Sequence, residues 1–470
     1  MIHVDFKTLT RAVAGQMADT KFETTRFTGV SIDSRAVEKD MLFVAIVGEK
    51  NDGHKYIKEA MARGCAGLLV SDKSILTPDI LKVVPVVIVD DTHRALIDLA
   101  VAYRKRVGAT YVAITGSNGK TTTKDITYDM IKNREDRTYR SVGNFNNLYG
   151  LPLSILAMPE NTRYGVFELG ISVIGEMTRL ARILHPDIAV ITNVGPTHLE
   201  TLGTVEKVAG EKFALIDNSS PDHPAIINID DPHIEAEAFR RDRPFLTFGL
   251  SQDADISAQK LGVDNNGYLK YRLQHSNFVI PAFGDYQIYN VLAGAAVCRE
   301  LGFFPTEEEL NNLNFNRTLH RGQIRHFGDL TVIDDCYNAN PVSMSSGLRS
   351  FRRYVDDAGG VYNRSIVVLG DMLELGPGEV EFHRVIGKII PELKFDLVCT
   401  VGKLSAHIGT AAVAAGFDKA RVHHFTDADA AGEFMIGNSL RGDIAYLKAS
   451  RGIALEKIFD VLKERAAQQN

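Results

Sequence analysis

The sequence predicts an α/β protein with three domains, and three observations support this fold class. With 470 residues, the chain is too long for one ordinary hydrophobic core. Short runs of valine, leucine and isoleucine alternate with helical patterns, as they do in parallel sheets covered by helices. Many of the 39 glycines lie where such a run passes into a helix, which is typical of nucleotide-binding α/β folds.

The first domain is predicted to occupy residues 1–91. Residues 54–64 have a helical pattern that closes at Gly64, and residues 95–108 predict a second helix that leads into the next domain. Short apolar runs predict strands at 41–48, 66–71 and 83–91.

The second domain is predicted to occupy residues 92–318, with a largely parallel sheet that opens with a strand at 110–116. Residues 261–273 differ, because an Asn-Asn-Gly turn separates two alternating segments and so predicts an antiparallel hairpin. A long helix is predicted at 289–302.

The third domain, residues 319–470, again alternates strand and helix and is predicted to be a Rossmann-like α/β domain. Its predicted strands are LTVIDD (330–335), SIVVLGD (365–371), LVCTVG (397–402) and DIAYLKAS (443–450).

The charge and the cysteines limit the classes of function. A net charge of −6 argues against a protein that coats nucleic acid, since such proteins carry an excess of basic residues. The four cysteines lack metal-ligand spacing, which indicates reduced thiols in a cytoplasmic protein. The sequence begins without a signal segment, and no apolar run reaches the roughly 18 residues of a membrane helix. We therefore expect a cytoplasmic protein that neither binds nucleic acid nor inserts into a membrane.

Residues 111–125, YVAITGSNGKTTTKD, predict a phosphate-binding loop between a strand and a helix. Backbone amides from Gly116 to Lys120 would surround phosphate oxygens, and the N-terminal end of the helix adds positive potential. Lys120 would contact the β- and γ-phosphates, and the Thr121 hydroxyl would bind magnesium. The common pattern has a glycine where this chain has Ile114, so the loop is a short form. The alternative is a glycine-rich turn with an incidental lysine.

This short loop, together with segments along nearly the whole chain, resembles the Mur ligase family. The most specific of these segments are YNANP (337–341) and GDMLELG (370–376), which are similar to those of the branch of the family that adds a dipeptide. The other segments that carry the resemblance are VSIDSRAV (30–37), LFVAIVGEKNDGHKYI (42–57), GNFNNLYGLPLSIL (143–156), ELGIS (168–172), ITNVGPTHLETLG (191–203) and KASRG (448–452).

The resemblance implies an ATP-dependent ligase that adds D-alanyl-D-alanine to UDP-N-acetylmuramoyl-tripeptide through an acyl phosphate, in peptidoglycan precursor synthesis. It implies ATP and Mg²⁺ as cofactors. It also implies a UDP-binding first domain, an ATP-binding second domain and a third domain for the amino substrate. We expect a monomer. The third residue of the peptide, lysine or diaminopimelate, and the general base do not follow from the sequence.

Ten residues are predicted to bind ATP. Asn290 matches a family position near the adenine, and Asp335 matches a ribose-binding aspartate. Arg321 matches a hinge arginine, although many relatives have the glycine before the arginine and this chain has it after. The remaining seven are the loop residues Gly116, Ser117, Asn118, Gly119, Lys120, Thr121 and Thr122.

Four residues are predicted to bind magnesium: Thr121, Glu168, His198 and Lys212. Glu168 ends an apolar strand, where a carboxylate suits a metal. His198 would bind a second magnesium or contact the transferred phosphoryl group. Lys212 aligns with a lysine that is carbamylated in related ligases, and a carbamate or a plain lysine in an ion pair both remain open. Lys120, His198 and Lys212 are the predicted catalytic residues.

Nine residues are predicted to bind the two substrates. Ser34 and Arg35, with the loop from Gly48 to Gly53, resemble the uridine diphosphate site. At residues 448–450 the relatives usually have Lys-Gly-Ser, and this chain has Ala449 in place of the glycine. The predicted peptide and dipeptide contacts are Asn144, Asn146, Asn147, Asn338, Asn340, Lys448 and Arg451.

Two rival functions remain. A folylpolyglutamate-type or other Mur-type ligase would share the phosphate-binding loop but lack the YNANP and GDMLELG segments. A non-catalytic nucleotide switch would have no need of Glu168, His198 and Lys212 beside an intact loop. Phosphate release with and without the dipeptide separates these possibilities.

Overall fold

The computed structural model describes residues 1–48, 51–264, 267–315, 317 and 319–468. Successive regions of the chain form successive, mainly parallel sheets with helices packed on them. The predicted α/β class is therefore confirmed. Among the described residues, no helix is both long enough and apolar enough to cross a membrane.

The first region forms a five-stranded sheet and a separate two-stranded ribbon. Its strands are β1 (His3–Asp5), β2 (Gln16–Met17), β3 (Arg26–Thr28), β4 (Val30–Ser31), β5 (Leu42–Val44), β6 (Gly67–Val70) and β7 (Val86–Ile88). Its helices are α1 (Phe6–Ala12), α2 (Ile57–Ala62) and α3 (Pro78–Val83). The sheet has the order β2-β7-β6-β5-β4 and is parallel except for β2, while β1 and β3 pair antiparallel.

The three strands predicted in this region exist, but each is shorter than predicted. The prediction of a strand from residue 83 is wrong, because Val83 ends α3. That helix forms because the Thr77 side chain accepts a hydrogen bond from the amide of Ile80 and Pro78 occupies the first turn. The helix predicted at 54–64 begins instead as a 3-10 turn before α2.

Helix α4 (Thr92–Val107) joins the first region to the second. The Asp91 side chain accepts hydrogen bonds from two amides of the first turn, which fixes where the helix begins. Leu96 on this helix is buried in one hydrophobic cluster with Phe6 of the first region and Leu151 of the second. The two regions therefore share a core.

The second region forms a nine-stranded sheet. Its strands are β8 (Thr110–Thr115), β9 (Thr138–Arg140), β10 (Tyr164–Glu168), β11 (Ile188–Ile191), β12 (Ala225–Asn228), β13 (Phe245–Gly249), β14 (Ile256–Val263), β15 (Leu269–Leu273) and β16 (Ser276–Ile280). Its helices are α5 (Lys120–Lys132), α6 (Gly150–Ala157), α7 (Glu176–Leu184), α8 (Leu199–Leu202), α9 (Val205–Asp217), α10 (Pro232–Ala238), α11 (Gln287–Glu300) and α12 (Glu307–Asn311). The order is β16-β15-β14-β13-β12-β11-β8-β10-β9.

Strands β8 to β14 are parallel, and β14, β15 and β16 form an antiparallel meander at one edge. The predicted hairpin is confirmed by the pairing of β14 with β15. Asn265 and Asn266 of the predicted turn lie outside the described residues.

The third region forms a six-stranded sheet. Its strands are β17 (Gln323–Phe327), β18 (Leu330–Asp334), β19 (Arg364–Gly370), β20 (Leu397–Val401), β21 (Val422–Phe425) and β22 (Asp443–Lys448). Its helices are α13 (Pro341–Asp357), α14 (Glu379–Leu393), α15 (Ala406–Ala414), α16 (Ala428–Asn438) and α17 (Ile458–Gln468). The order is β17-β18-β22-β19-β20-β21, parallel except for β17.

The four strands predicted in the third region are confirmed as β18, β19, β20 and β22. Strands β17 and β21 were not predicted. Their side chains are partly or fully exposed, because both are edge strands, and so they lack the apolar run that marks a buried strand.

Candidate active site

A cleft of about 830 Å³ lies between the second and third regions. One wall consists of residues that follow β8, β10, β11 and β12, together with the start of α11. The other consists of residues that follow β18, the first turns of α13 and the end of β22. Because ligands of parallel α/β sheets bind at the carboxyl ends of the strands, this cleft is the candidate active site.

The loop between β8 and α5 requires glycine at two positions. Gly119 has φ +82°, and a Cβ there would lie 2.6 Å from Asn290 Oδ1. A Cβ at Gly116 would overlap the Thr192 hydroxyl. The close approach of this loop to its neighbours therefore explains the two glycines of the short motif.

The amides of the loop do not all face the cleft. The amide of Ser117 donates to the Asn193 carbonyl at 2.9 Å, and that of Asn118 donates to Asn193 Oδ1 at 2.8 Å. The first bond within α5 runs from the amide of Thr123 to the carbonyl of Gly119. The four amides before it, at residues 119–122, have no acceptor inside the helix, so the anion site is centred there.

The Lys120 side chain lies along the same loop. Its Nζ donates to the Gly116 carbonyl at 2.8 Å. Burial lowers the pKa of Lys120, with Arg321 acting in the same direction and Glu168 raising it. An arriving phosphate would add negative charge beside this lysine and so favour its charged form.

Glu168 ends β10 and is 2 % exposed. Its Oε1 accepts from Asn146 Nδ2 at 2.6 Å. Its Oε2 is buried without a hydrogen bond, and Lys124 Nζ lies 4.0 Å away. A buried carboxylate oxygen with unused lone pairs needs a partner, and a hard cation is one that suits it.

The residues at this position fit a magnesium ion that is also held by substrate. Among the residues described, no group of three His, Cys, Asp or Glu side chains could hold a metal ion. Magnesium, however, is commonly bound by one or two protein groups and by phosphate oxygens. Glu168 Oε2 offers one such group. The Thr121 hydroxyl, which accepts from Arg321 at 3.2 Å, lies in the same cleft.

Lys212 projects from α9 into the cleft and is 2 % exposed. Burial holds the pKa of its amine well below the usual range, and the positive charge of Lys120 lowers it further. Within the described part of the chain, no carboxylate forms an ion pair with it. Burial and the charge of Lys120 therefore both favour the uncharged form of the Lys212 amine.

His198 stands at the start of α8 with φ +53°. Its Nδ1 lies 2.6 Å from Oε2 of Glu374, which belongs to the third region. Burial lowers the pKa of His198, the Glu374 carboxylate raises it, and Lys120 and Lys212 lower it further.

Two further polar contacts cross the cleft. Asn340 Nδ2 donates to Asn118 Oδ1 at 2.7 Å. Arg321 donates to Thr121, and its guanidinium lies 4.0 Å from the centre of the Tyr337 ring. Together with the His198–Glu374 pair, these contacts hold the two walls against each other.

On the third-region wall, Asp335 and Lys448 form a buried ion pair with an O–N distance of 2.7 Å. The Tyr446 hydroxyl also donates to Asp335, at 2.8 Å, and Lys448 donates to the Asn338 carbonyl at 3.1 Å. Burial raises the pKa of Tyr446 well above its usual value. Both Asp335 and Lys448 line the cleft, but the two side chains are already paired with each other.

Arg451 does not line the cleft. Its side chain is 62 % exposed and pairs with Glu456 at 2.9 Å. The structure therefore separates Lys448 from Arg451, although the sequence grouped both among the peptide and dipeptide contacts.

Several predicted asparagines have a structural partner. Asn340 caps α13, and Asn147 accepts from the amides that open α6. Asn290 accepts from Thr123 at 2.9 Å and so joins α11 to α5. Asn144 is exposed at the edge of the cleft. These asparagines can bind a substrate only through the side-chain donors and acceptors that the structural contacts leave unused.

Ser34 and Arg35 lie in the first region and do not line the cleft. Ser34 Oγ donates to Glu59 at 2.7 Å. Arg35 forms a two-bond pair with Asp33, at 3.0 and 2.8 Å, and its side chain is 78 % exposed. Gly48 and Gly53 are described, but the two residues after Gly48 are not.

Sequence reasoning missed two residues of the site. Lys124 is fully buried behind Glu168, four positions after Lys120 in the phosphate-loop segment. Glu374 is one of the two acidic residues of the GDMLELG segment, and only its distance from His198 shows its place. For Lys124, the available signal was a second lysine within the phosphate-loop segment.

Comparison with known families and proteins agrees with this geometry. The family model described as "Mur ligase family, catalytic domain" matches residues 26–104. The "Mur ligase middle domain" matches residues 114–298, and the "Mur ligase, glutamate ligase domain" matches residues 320–451.

Individual proteins match over almost the full length. The chain is 35% identical to the UDP-N-acetylmuramoyl-tripeptide–D-alanyl-D-alanine ligase of Bacillus subtilis over 466 residues, 99% of each protein. The crystal structure of the MurF ligase from Thermotoga maritima in complex with ADP has a TM-score of 0.79 at 27% identity, covering 94% of this chain and 99% of that one. MurF from Acinetobacter baumannii has a TM-score of 0.86 at 24% identity, covering 99% of each, and this likeness bears on the fold.

Proposed function

Because the chain belongs to the Mur ligase family, we propose that it is an ATP-dependent ligase that joins UDP-N-acetylmuramoyl-tripeptide to D-alanyl-D-alanine. The observation that carries the proposal is the cleft itself. A phosphate-binding helix start on one wall faces Tyr337 and Asn338 of the YNANP segment on the other. The relatives' names supply the two substrates, and the ADP-bound neighbour supports the use of ATP.

In the first step, the terminal carboxylate of the tripeptide attacks the γ-phosphorus of ATP. A bond forms between the carboxylate oxygen and phosphorus, the bond to the β–γ bridging oxygen breaks, and ADP leaves. Charge on the transferred phosphoryl group is stabilised by Lys120 and by the four amides at the start of α5. The product is an acyl phosphate.

In the second step, the amine of D-alanyl-D-alanine attacks the acyl carbon. The new bond joins nitrogen to carbon, the carbon–oxygen bond to phosphate breaks, and inorganic phosphate leaves. The contacts that join the two walls of the cleft keep water from the acyl phosphate while the amine approaches.

Glu168 and Thr121 would hold a magnesium ion at the phosphates. When bound, magnesium neutralises part of the charge on the phosphate oxygens and so favours their approach by a carboxylate. Glu168 Oε2 is oriented for this role because its other oxygen is fixed by Asn146. His198 lines the same cleft and retains Nε2 for a contact with metal or phosphate.

We further propose that Lys212 carries a carbamate. Carbon dioxide adds to an uncharged amine with loss of one proton, and burial, which lowers the pKa of Lys212, favours that uncharged form. The absence of an ion pair at Lys212 among the described residues speaks against the plain-lysine alternative. A carbamate would add a second anionic oxygen donor beside Glu168.

The dipeptide would bind on the third-region wall. Its carboxylate needs a cation, and Lys448 lines the cleft while Arg451 stands outside it. Lys448 can take this role only by sharing its charge between the substrate and Asp335. Asp335 would also reach the ATP ribose, and Asn290 the adenine. The Asn338 amide suits the central peptide group, as does that of Asn340 if it leaves its cap.

The first region would bind the uridine diphosphate through Ser34 and Arg35, at a distance from the cleft. Asn144, Asn146 and Asn147 would then meet the peptide that reaches from there. We propose that the protein works as a monomer in the cytoplasm, where ATP and the nucleotide-linked precursor are both present.

A substrate panel tests the proposal. The chain is assayed for phosphate release with ATP and each UDP-muramoyl-peptide, with and without D-alanyl-D-alanine. Release that requires both the tripeptide and the dipeptide is expected, and the preferred tripeptide identifies its third residue. Release with a folate substrate, or release that ignores the dipeptide, would contradict the proposal.

A further inference from the structure

The loop over residues 370–376 is held rigidly from within the third region. The Ser450 hydroxyl accepts from the amide of Leu373 at 2.9 Å and donates to the Ala339 carbonyl at 3.1 Å. His383 accepts from the amide of Met372 at 2.9 Å. One serine therefore connects all three segments that were singled out in this region, and a buried histidine fixes the base of the loop.

The same loop also touches the second region. The amide of Glu200 donates to the Glu374 carbonyl at 3.4 Å. Gly376, at φ +65°, lies so close that a Cβ there would stand 3.2 Å from the Glu200 backbone. The tip of the loop is thus seated on the start of α8, directly after His198.

Glu374 and His198 both have left-handed backbone conformations, with φ of +63° and +53°. Neither is a glycine, so each conformation is unfavourable by itself and persists only because the surroundings impose it. Their side chains meet at 2.6 Å across the boundary between the two regions. Paired strained residues at one contact point indicate that the contact is functional.

We propose that Glu374 is a positioning residue for His198: it binds Nδ1 and directs the other ring nitrogen into the cleft. Because the two residues belong to different regions, this contact exists only when the third region lies against the second. His198 is then oriented for the reaction only after the acceptor side has closed. This inference rests on the proposed ligase function, since it gives His198 a role in that reaction.

The Glu374 side chain is 60 % exposed, so it contributes little to packing. Glu200 offers a matched carboxylate, because it is exposed and lies beside the same loop. Glu200 meets the loop through its backbone, so its side chain can be changed without altering that contact.

The test measures steady-state ligation by the full chain carrying Glu374→Gln, with Glu200→Gln as the control. We expect Glu374→Gln to lower kcat at least about tenfold while the KM for ATP changes less than about twofold. Glu200→Gln should remain within about twofold of the unmodified chain in both constants. Equal melting temperatures for the two variants would show that the loss is not one of folding.

A double-mutant cycle then asks whether Glu374 acts through His198. In a His198→Asn background, Glu374→Gln should change kcat by less than about twofold, because the residue it orients is gone. The same fold loss in both backgrounds would overturn the proposal, as would an unaffected Glu374→Gln. Failure of the unmodified chain to join the dipeptide would instead overturn the proposed function, so the two failures are distinguishable.

Discussion

On the second-region wall of the cleft, the groups that would meet the phosphates of ATP are backbone amides at the start of α5. On the third-region wall, the groups that would meet the dipeptide and the ribose are side chains already bound to one another. The amides at residues 119–122 have no acceptor within the helix. Lys448 and Asp335, by contrast, form a buried pair. The first wall is ready for its ligand, whereas the second must exchange existing contacts for new ones. Binding of the phosphates should therefore need little rearrangement, whereas binding of the dipeptide should require the Lys448–Asp335 pair to rearrange.

The largest effect is expected from Lys120→Ala, which should lower kcat about a hundredfold or more. A charge-assisted contact to phosphate contributes about 1.5–3 kcal/mol, and more in a closed site. Lys132→Ala is the control, because Lys132 ends the same helix but is partly exposed and, among the described residues, pairs with Asp136. Near-normal turnover by Lys120→Ala in a phosphate-release assay would contradict the assignment of this segment as a phosphate-binding loop.

Lys212→Met should lower kcat by roughly ten- to a hundredfold, the range found when groups that support a metal site are removed. It should also change the pH dependence of stability. The folded-state pKa of Lys212 lies below its ordinary value of 10.5, so between those two pH values the unfolded chain binds one more proton than the folded chain. Stability therefore rises with pH through that window, and the methionine variant should lose this contribution.

Thermal melting at several pH values checks the stability claim, and mass measurement of the intact chain under carbon dioxide checks the carbamate. An increase by one carbon dioxide that disappears in Lys212→Met is expected. A Lys212 variant with the same melting profile as the unmodified chain would show that folding does not lower the pKa of Lys212.

Lys448→Met and Arg451→Met sharpen the comparison, because the sequence placed both residues among the substrate contacts. Lys448→Met leaves Asp335 buried without its cation, which should cost about 3–5 kcal/mol of stability. Arg451→Met removes an exposed pair with Glu456, worth about 0–1 kcal/mol. Urea unfolding should separate them clearly. Equal losses of stability would mean that the Lys448 pair is not buried as described.

The smallest effect is expected at Asn340, where two contacts can be separated. Asn340→Ser keeps a capping oxygen for α13 but loses the bond to Asn118, so stability should hold while kcat/KM falls by about a factor of five. Asn340→Ala should lose the cap as well and cost about 1 kcal/mol more in stability. If the serine variant is fully active, the bond across the cleft does not contribute to turnover.

The sequence predicted the second-region wall better than the third because its signals are local. Gly116, Gly119 and Lys120 lie within five positions, so their spacing alone indicates a strand, a turn and a helix start. Lys448 and Asp335 form a pair although they lie 113 positions apart in the sequence, and no local pattern predicts that pair. The same is true of Glu374, whose partner His198 belongs to another sheet.

Sequence motifs also cannot distinguish an asparagine that caps a helix from one that binds a substrate. Asn147 and Asn340 appear in segments that the resemblance assigned to substrates, yet each also fixes the start of a helix. Asparagine serves both purposes with the same side-chain oxygen, so the residue type alone does not distinguish them. The strands at sheet edges were missed for a related reason, since exposure removes the apolar run that identifies a buried strand.

The most direct test of the central claim is a competition among acceptors. The chain is given ATP and UDP-N-acetylmuramoyl-tripeptide with equal concentrations of D-alanyl-D-alanine, lysine, diaminopimelate and D-glutamate, and the products are identified by mass. A site built on hydrogen bonds to one substrate can reject analogues that lack the matching groups by a factor on the order of 10⁴. We therefore expect a product that contains only the dipeptide. Consumption of lysine or diaminopimelate as fast as D-alanyl-D-alanine would contradict the dipeptide assignment.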